Sequence, residues 1–197
     1  MAERSRPRIS ARRRTGGEGQ PEVFTADEQG EVPVDVARWT ALAEAVIVSE
    51  GVRGHAELSL LFVDEADISD LNEQFMHKVG PTDVLAFPID ASEAEIYTGS
   101  LSPSTGPDRA PIDPSDLPLL LGDVVVCPAV AQRQAPEHAG TLDDELALLV
   151  VHGVLHVFGY DHGEPDETAR MRARELELLQ AHHWGGPAPA GFRQEQE

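Results

Sequence analysis

A chain of 197 residues is long enough for one domain with a substantial core. Its 35 acidic against 15 basic residues give a formal charge of -20, and that balance alone argues against a nucleic-acid enzyme, because phosphate binding rests on lysine and arginine. The single cysteine, Cys127, excludes a disulfide framework and a cysteine-based zinc site, and no segment approaches the roughly 18 consecutive apolar residues of a membrane span. The arginine-rich N-terminus lacks the apolar core of a secretory signal. A soluble, cytoplasmic protein is expected.

Residues 1–20 carry Arg4, Arg6, Arg8, Arg12, Arg13 and Arg14 with almost nothing apolar. They are expected to form a disordered basic extension, either dispensable or an electrostatic arm toward RNA. A short strand is possible over Glu22–Phe24. Val36, Trp39, Leu42, Ala43 and Val46 then recur at helical spacing, so a helix is expected over 34–49, ended by Gly51 and Gly54. Leu58, Leu60 and Phe62 alternate with Glu57, Ser59 and Leu61, the pattern of a strand over 56–63. A second helix over 64–76 would turn Ile68, Leu71 and Phe75 inward, with Asp64 or Asp67 as its cap. Pro81–Pro88 reads as a loop entering an edge strand, since proline cannot donate to a ladder. Within it, Thr82 and Asp83 either line a site or cap a turn.

Residues 90–118 are rich in serine, proline, aspartate and glycine without periodicity, and a long loop is expected there. Leu119–Val126 is an apolar strand interrupted by Gly122 and Asp123. A buried aspartate is expensive unless paired, so Asp123 either orients a ligating histidine or bonds backbone at a strand end. Cys127 reads as a buried small hydrophobe. Pro128 opens a third helix that ends before Pro136. Arg133 and His138, beyond it, either face substrate or are simply exposed. Thr141 is the expected N-cap of a fourth helix, with early acidic residues suited to the helix dipole. A last helix over 166–182 would bury Leu176 and Leu179, with Met171 packing and Ala173 filling the crowded side. Arg170 and Arg174 lie one turn apart, placed for salt bridges with nearby glutamates. His182 and His183 fall at its fraying end, and residues 185–197 are expected to be a disordered tail. The domain therefore spans 21–184. Strands alternating with helices give an α/β fold, a single compact domain with a small mixed sheet packed by helices.

The stretch that carries chemistry is His152-Gly-Val-Leu-His156-Val-Phe-Gly159-Tyr-Asp161-His162. His152 and His156 share a helix face, their β-carbons about 5–6 Å apart. Gly159 can take the left-handed conformation that stops the helix, and the chain can fold back to bring His162 to the same point. Three neutral histidines leave one tetrahedral position open, the arrangement of catalytic rather than structural zinc. Imidazole also suits nickel, copper and iron. Asp161 is available to accept from a ligating ring. The HExxH metalloproteases carry a glutamate beside the first histidine as general base; here that position is Gly153, so peptide hydrolysis would need a base from elsewhere.

The stretch resembles the three-histidine signature of the bacterial YbeY family, the metal-dependent endoribonucleases of ribosomal RNA maturation. Two further blocks resemble the same family in the same order, Pro81-Thr-Asp-Val-Leu-Ala-Phe-Pro88 and Leu121-Gly-Asp-Val-Val-Val126. The resemblance runs from about residue 56 to 180. It implies a compact sheet with the metal helix packed against it. It also implies a zinc-dependent, single-strand-specific endoribonuclease of 16S rRNA 3' end maturation and ribosome quality control. One Zn2+ per chain would be held by His152, His156 and His162, with His152 as a catalytic candidate. The implied partners are single-stranded rRNA and the small ribosomal subunit; the acidic surface would also suit basic ribosomal proteins. The sequence departs from the family at Met76, which stands where an arginine is common and cannot hold a phosphate. Lys78 or His77 could supply that charge. Two other readings stay open: a metal-dependent hydrolase of another ester or amide, and a non-catalytic ribosome assembly factor with a structural zinc.

Overall fold

The computed structural model describes residues 10–13, 20–89 and 118–194. Of the expected long loop, residues 90–117 lie outside the described residues, as do residues 1–9 and 14–19 of the basic extension. Five strands form one mixed sheet: β1 (Ser10–Arg13), β2 (Glu22–Asp27), β3 (Ala56–Phe62), β4 (Val84–Pro88) and β5 (Leu119–Val126). The spatial order is β1-β2-β3-β5-β4. The three central strands β2, β3 and β5 are parallel, and each outer strand, β1 and β4, pairs antiparallel to its neighbour. β1 lies within the stretch expected to be disordered. A strand can add there because it contributes backbone hydrogen bonds to the edge of β2, which need no apolar side chain. The proline-bounded β4 is an edge strand, as its composition predicts.

The helices are α1 (Val36–Ser49), α2 (Glu65–Leu71), α3 (Pro128–Gln134), α4 (Leu142–Val157) and α5 (Pro165–Leu179). Both α2 and α5 run on into π-helical turns, Asn72–Met76 and Gln180–Trp184. The strand alternation assigns the two faces of the sheet. Leu58, Leu60, Phe62, Val124 and Val126 pack with α1 and α4 in the main core. Leu85 and Val125 point the other way, into a smaller cluster with Ile68, Cys127 and Val130. Cys127 is fully buried, as expected of a small hydrophobe.

Nearly every residue of α4 from Asp144 to Leu155 is buried, the mark of a central helix rather than an amphipathic surface one. Its N-terminus is capped by Thr141, whose Oγ1 accepts from Asp144 N–H at 3.1 Å. Asp144 also accepts from Trp184 Nε1 at 2.7 Å and from His183 Nε2 at 2.9 Å. His183 is therefore not at a fraying end: the π-helical turn carries it and Trp184 onto the start of α4. The buried stripe of α5 is Met171, Glu175, Leu178 and Leu179. Leu176, expected in the core, is only half-buried and Ala173 is exposed; the docked face lies along i, i+4, i+7 and i+8 from Met171, to one side of the face the apolar residues suggested. The segment after Trp184 is ordered through Gln194, against expectation. Phe192 packs edge-on to Trp184 with ring centroids 4.8 Å apart, and Arg193 N–H donates to His138 O at 3.1 Å.

Gly153 decides how closely α4 approaches the sheet. A β-carbon there would lie 2.5 Å from Val124 Cγ1 and 3.3 Å from Val84 Cγ2. Neither branched side chain can move away within a close-packed core. The position that holds the glutamate in HExxH enzymes therefore faces β4 and β5 here, with no room for a side chain. The Gly153→Ala protein is expected to be less stable than wild type. A helix-propensity gain of about 1 kcal/mol is outweighed by overpacking, which typically costs about 1–3 kcal/mol and occasionally more. Urea unfolding at neutral pH measures the difference; a stabilised variant would show that the helix can back away from β5.

Candidate metal centre

The site forms where α4 ends. His152 and His156 lie on one face of its last two turns, and Gly159, at φ +81°, turns the chain so that His162 returns to them. Ring centroids are 4.5 Å apart for His152–His156, 4.9 Å for His156–His162 and 5.6 Å for His152–His162. One nitrogen from each ring falls within 4.8 Å of the others, and the Nε2 atoms of His152 and His156 face each other at 3.0 Å. A tetrahedral ion with bonds of about 2.0–2.1 Å would set ligand nitrogens about 3.4 Å apart, so small ring rotations suffice. All three histidines are half-buried, at the floor of an open cleft of about 1150 Å³.

The tautomer of His152 is set from outside the motif. Its Nδ1–H donates to Glu175 Oε1 at 2.8 Å, and the carboxylate lies in α5, where Glu175 is 3% exposed. This bond leaves the Nε2 lone pair directed at the shared centre, as metal-ligating histidines require. Among the described residues Glu175 takes the orienting role expected of Asp123 or Asp161. Asp123 shares its strand face with Val125, away from α4, because its neighbour Val124 packs under Gly153. It follows Gly122, whose φ of +146° and close approach to Phe87 O mark the irregular pairing of β5. Asp161 is exposed and accepts from His162 N–H at 2.7 Å. That backbone bond, above all, holds its carboxyl below the usual range.

Like its two neighbours, His156 is half-buried. Burial first, then the neighbouring His152 and His162, lower its pKa to about 4. It is therefore neutral near pH 7, the state in which a histidine can ligate.

The cleft wall opposite α5 is built from the π-helical turn and β4. His77 ends that turn in the left-handed conformation, φ 58°, and Asn72 Nδ2 donates to Gly80 O at 2.8 Å to hold the loop. Met76, Lys78, Val79, Thr82 and Asp83 consequently line the cleft with the histidines. Thr82 and Asp83 serve the turn: Asp83 Oδ1 accepts from Thr82 Oγ1 at 3.1 Å and from Val84 N–H at 2.8 Å. Glu145, buried below the cleft, is held by Ala139 N–H and His138; burial raises its pKa. Arg133 forms a forked ion pair with Glu65 on the other side of the sheet, Arg174 pairs with Glu50 and Glu177, and His182 contacts Ser49. Arg133, Arg174 and His182 do not reach the centre. Glu175 was hidden in the sequence among the repeated glutamates of α5; its position four residues after Met171, on the buried stripe, is the one signal that could have singled it out.

Comparison with known proteins gives a consistent picture. A family model described as Endoribonuclease YbeY matches residues 24–183. A protein named Endoribonuclease YbeY from Acidothermus cellulolyticus is 47% identical over 160 residues, covering 81% of this chain and 90% of that protein. Those of the same name from Frankia casuarinae and Thermobifida fusca are 42% and 43% identical, covering 83% and 80% of this chain and 75% and 91% of their own lengths.

The lowered pKa of His156 has a measurable consequence for the metal-free protein. A histidine whose folded pKa lies below its unfolded value contributes stability present above the unfolded value, about 6.5, and lost as pH falls toward the folded one. Metal-free protein should lose stability between about pH 6.5 and pH 4, with the His156 ring protonating at about pH 4. NMR titration of the His156 ring resonances checks this; a His156 that titrates at the ordinary value of about 6.5 would contradict the shielding described.

Proposed function

The chain belongs to the YbeY endoribonuclease family, and from that premise we propose that it is a zinc-dependent endoribonuclease acting on single-stranded rRNA. The proposed role is 16S rRNA 3' end maturation and ribosome quality control on the small subunit, in the cytoplasm. The observation that supports this most is the convergence of His152, His156 and His162 within 4.8 Å in an open cleft. A structural zinc site would be closed by four protein ligands; three histidines beneath an open cleft leave a face for substrate. No described helix is long and apolar enough to cross a membrane.

The residues of the chain divide the work. His152, His156 and His162 would hold the ion, with Glu175 fixing the His152 ring. A bound zinc would polarise a phosphoryl oxygen and lower the pKa of water toward neutrality. Lys78 is the only lysine of the chain, and it lines the cleft together with Arg172. Arg38, Arg133 and Arg174 are engaged with carboxylates elsewhere. Phosphate contact is assigned to Lys78 and Arg172 because they line the cleft; Met76 has no charge to offer. Of the cleft carboxylates, Asp83, Glu145 and Glu175 are committed to hydrogen bonds. Glu164, also at the cleft, is the one whose side chain has no such bond among the described residues, and so the one available to accept a proton.

Zinc-loaded protein should cleave a defined single-stranded RNA, lose that activity with a chelator, and lose it with His156→Ala while its fold survives. A duplex of the same sequence should resist. Cleavage by the His156→Ala protein equal to wild type would place the activity elsewhere. No cleavage by either protein, with zinc bound to wild type, would favour the assembly-factor reading. Two cleft cations on an acidic protein also predict a shallow salt dependence: a slope near -1.4 in log K against log salt, from about -0.7 per neutralised phosphate of a single strand. Binding of a non-cleavable oligonucleotide across a salt series measures it.

A further inference from the structure

The C-terminal segment returns to the metal cleft. After the contacts of Phe192 with Trp184 and of Arg193 with His138, Gln194 enters beside α5. Its Nε2 donates to Arg172 O and to Glu175 Oε2, both at 2.7 Å. The Glu175 carboxylate is thus held at both oxygens, Oε1 by His152 Nδ1–H and Oε2 by the Gln194 amide. The last torsion of a glutamate is broad and sets no sharp direction by itself. Without a partner on Oε2, the plane of this buried carboxylate would be defined by His152 alone. The ring would then orient the group meant to orient it.

We propose that Gln194 is a positioning residue of the metal centre, aiming the Glu175 carboxylate so that His152 Nε2 points at the point shared with His156 and His162. The docked C-terminal segment is then part of the site: whatever lifts Gln194 off Glu175 weakens metal binding without touching a ligand. This rests on the reading that the three histidines hold a metal.

The test uses the full chain with Gln194→Leu, close in size but without a donor, and Gln194→Glu, which cannot donate and sets a second carboxylate against Glu175. Glu175→Gln and His156→Ala serve as references. Zn2+ affinity is measured by competition with a chromophoric chelator, and site geometry by the visible absorption of the Co2+-substituted protein. Loss of an outer partner of a metal ligand typically costs about 10–100-fold in affinity. Glu175→Gln should fall in that range, and the two Gln194 variants should lose about tenfold, with an altered Co2+ spectrum. Circular dichroism of the metal-free variants should match wild type, which a merely structural role would not combine with a changed spectrum. Wild-type affinity and spectrum in both Gln194 variants would overturn the proposal and leave the metal site standing. Failure of the wild-type chain to bind Zn2+, or undiminished binding by His156→Ala, would overturn both.

Discussion

The seating of α4 against β4 and β5 at Gly153 governs where every group of the cleft lies. The helix is buried on nearly all sides, so its rotation and depth are set by the sheet beneath it and by α1 and α5 beside it. Gly153 lets it sit so close that a β-carbon would strike Val124. With the helix seated there, His152 and His156 reach the floor of the cleft and the left-handed Gly159 returns His162 to them. A helix lifted by one side-chain layer would carry the histidines away from Glu175 and from the wall bearing Lys78.

That seating also separates this centre from the HExxH arrangement. The residue after the first histidine lies about 100° further round the helix, and here that direction is occupied by the sheet. The chain instead brings carboxylates to the cleft from several elements. Glu175 of α5 fixes a ring, while Asp83 and Glu145 are committed to backbone and side-chain donors. The partition matters in a chain of charge -20: carboxylates tied into hydrogen bonds hold parts of the cleft in place.

Several departures from the expected organisation share one cause. The tail after Trp184 is polar, proline- and glycine-rich, and by composition unable to form a core of its own. It is ordered through Gln194 because Trp184, His138 and Glu175 offer it specific partners. Leu178 rather than Leu176 is buried in α5, since two leucines two residues apart lie on different faces of a helix and only docking selects between them. Asp123 was a reasonable partner for a histidine by charge and by its apolar surroundings, but strand alternation turns it to the opposite face from Val124. The π-helical turns at 72–76 and 180–184 likewise leave no mark in hydrophobic periodicity, which reads them as plain helix.

The features legible in the sequence are those governed by a few neighbouring residues. Two histidines four apart must share a helix face because the pitch of the helix says so, and a glycine three residues on can reverse the chain; Thr141 caps because its hydroxyl meets an amide three residues away. The alternation of Leu58, Leu60 and Phe62 likewise specifies which side of a strand is buried. The tertiary structure alone decided which carboxylate orients His152, because Glu175 is 23 residues distant and Gln194 a further 19. Such pairs meet only when α5 and the C-terminal segment pack onto α4. Their angle and depth of packing depend on the fit of many side chains at once, which no local spacing encodes.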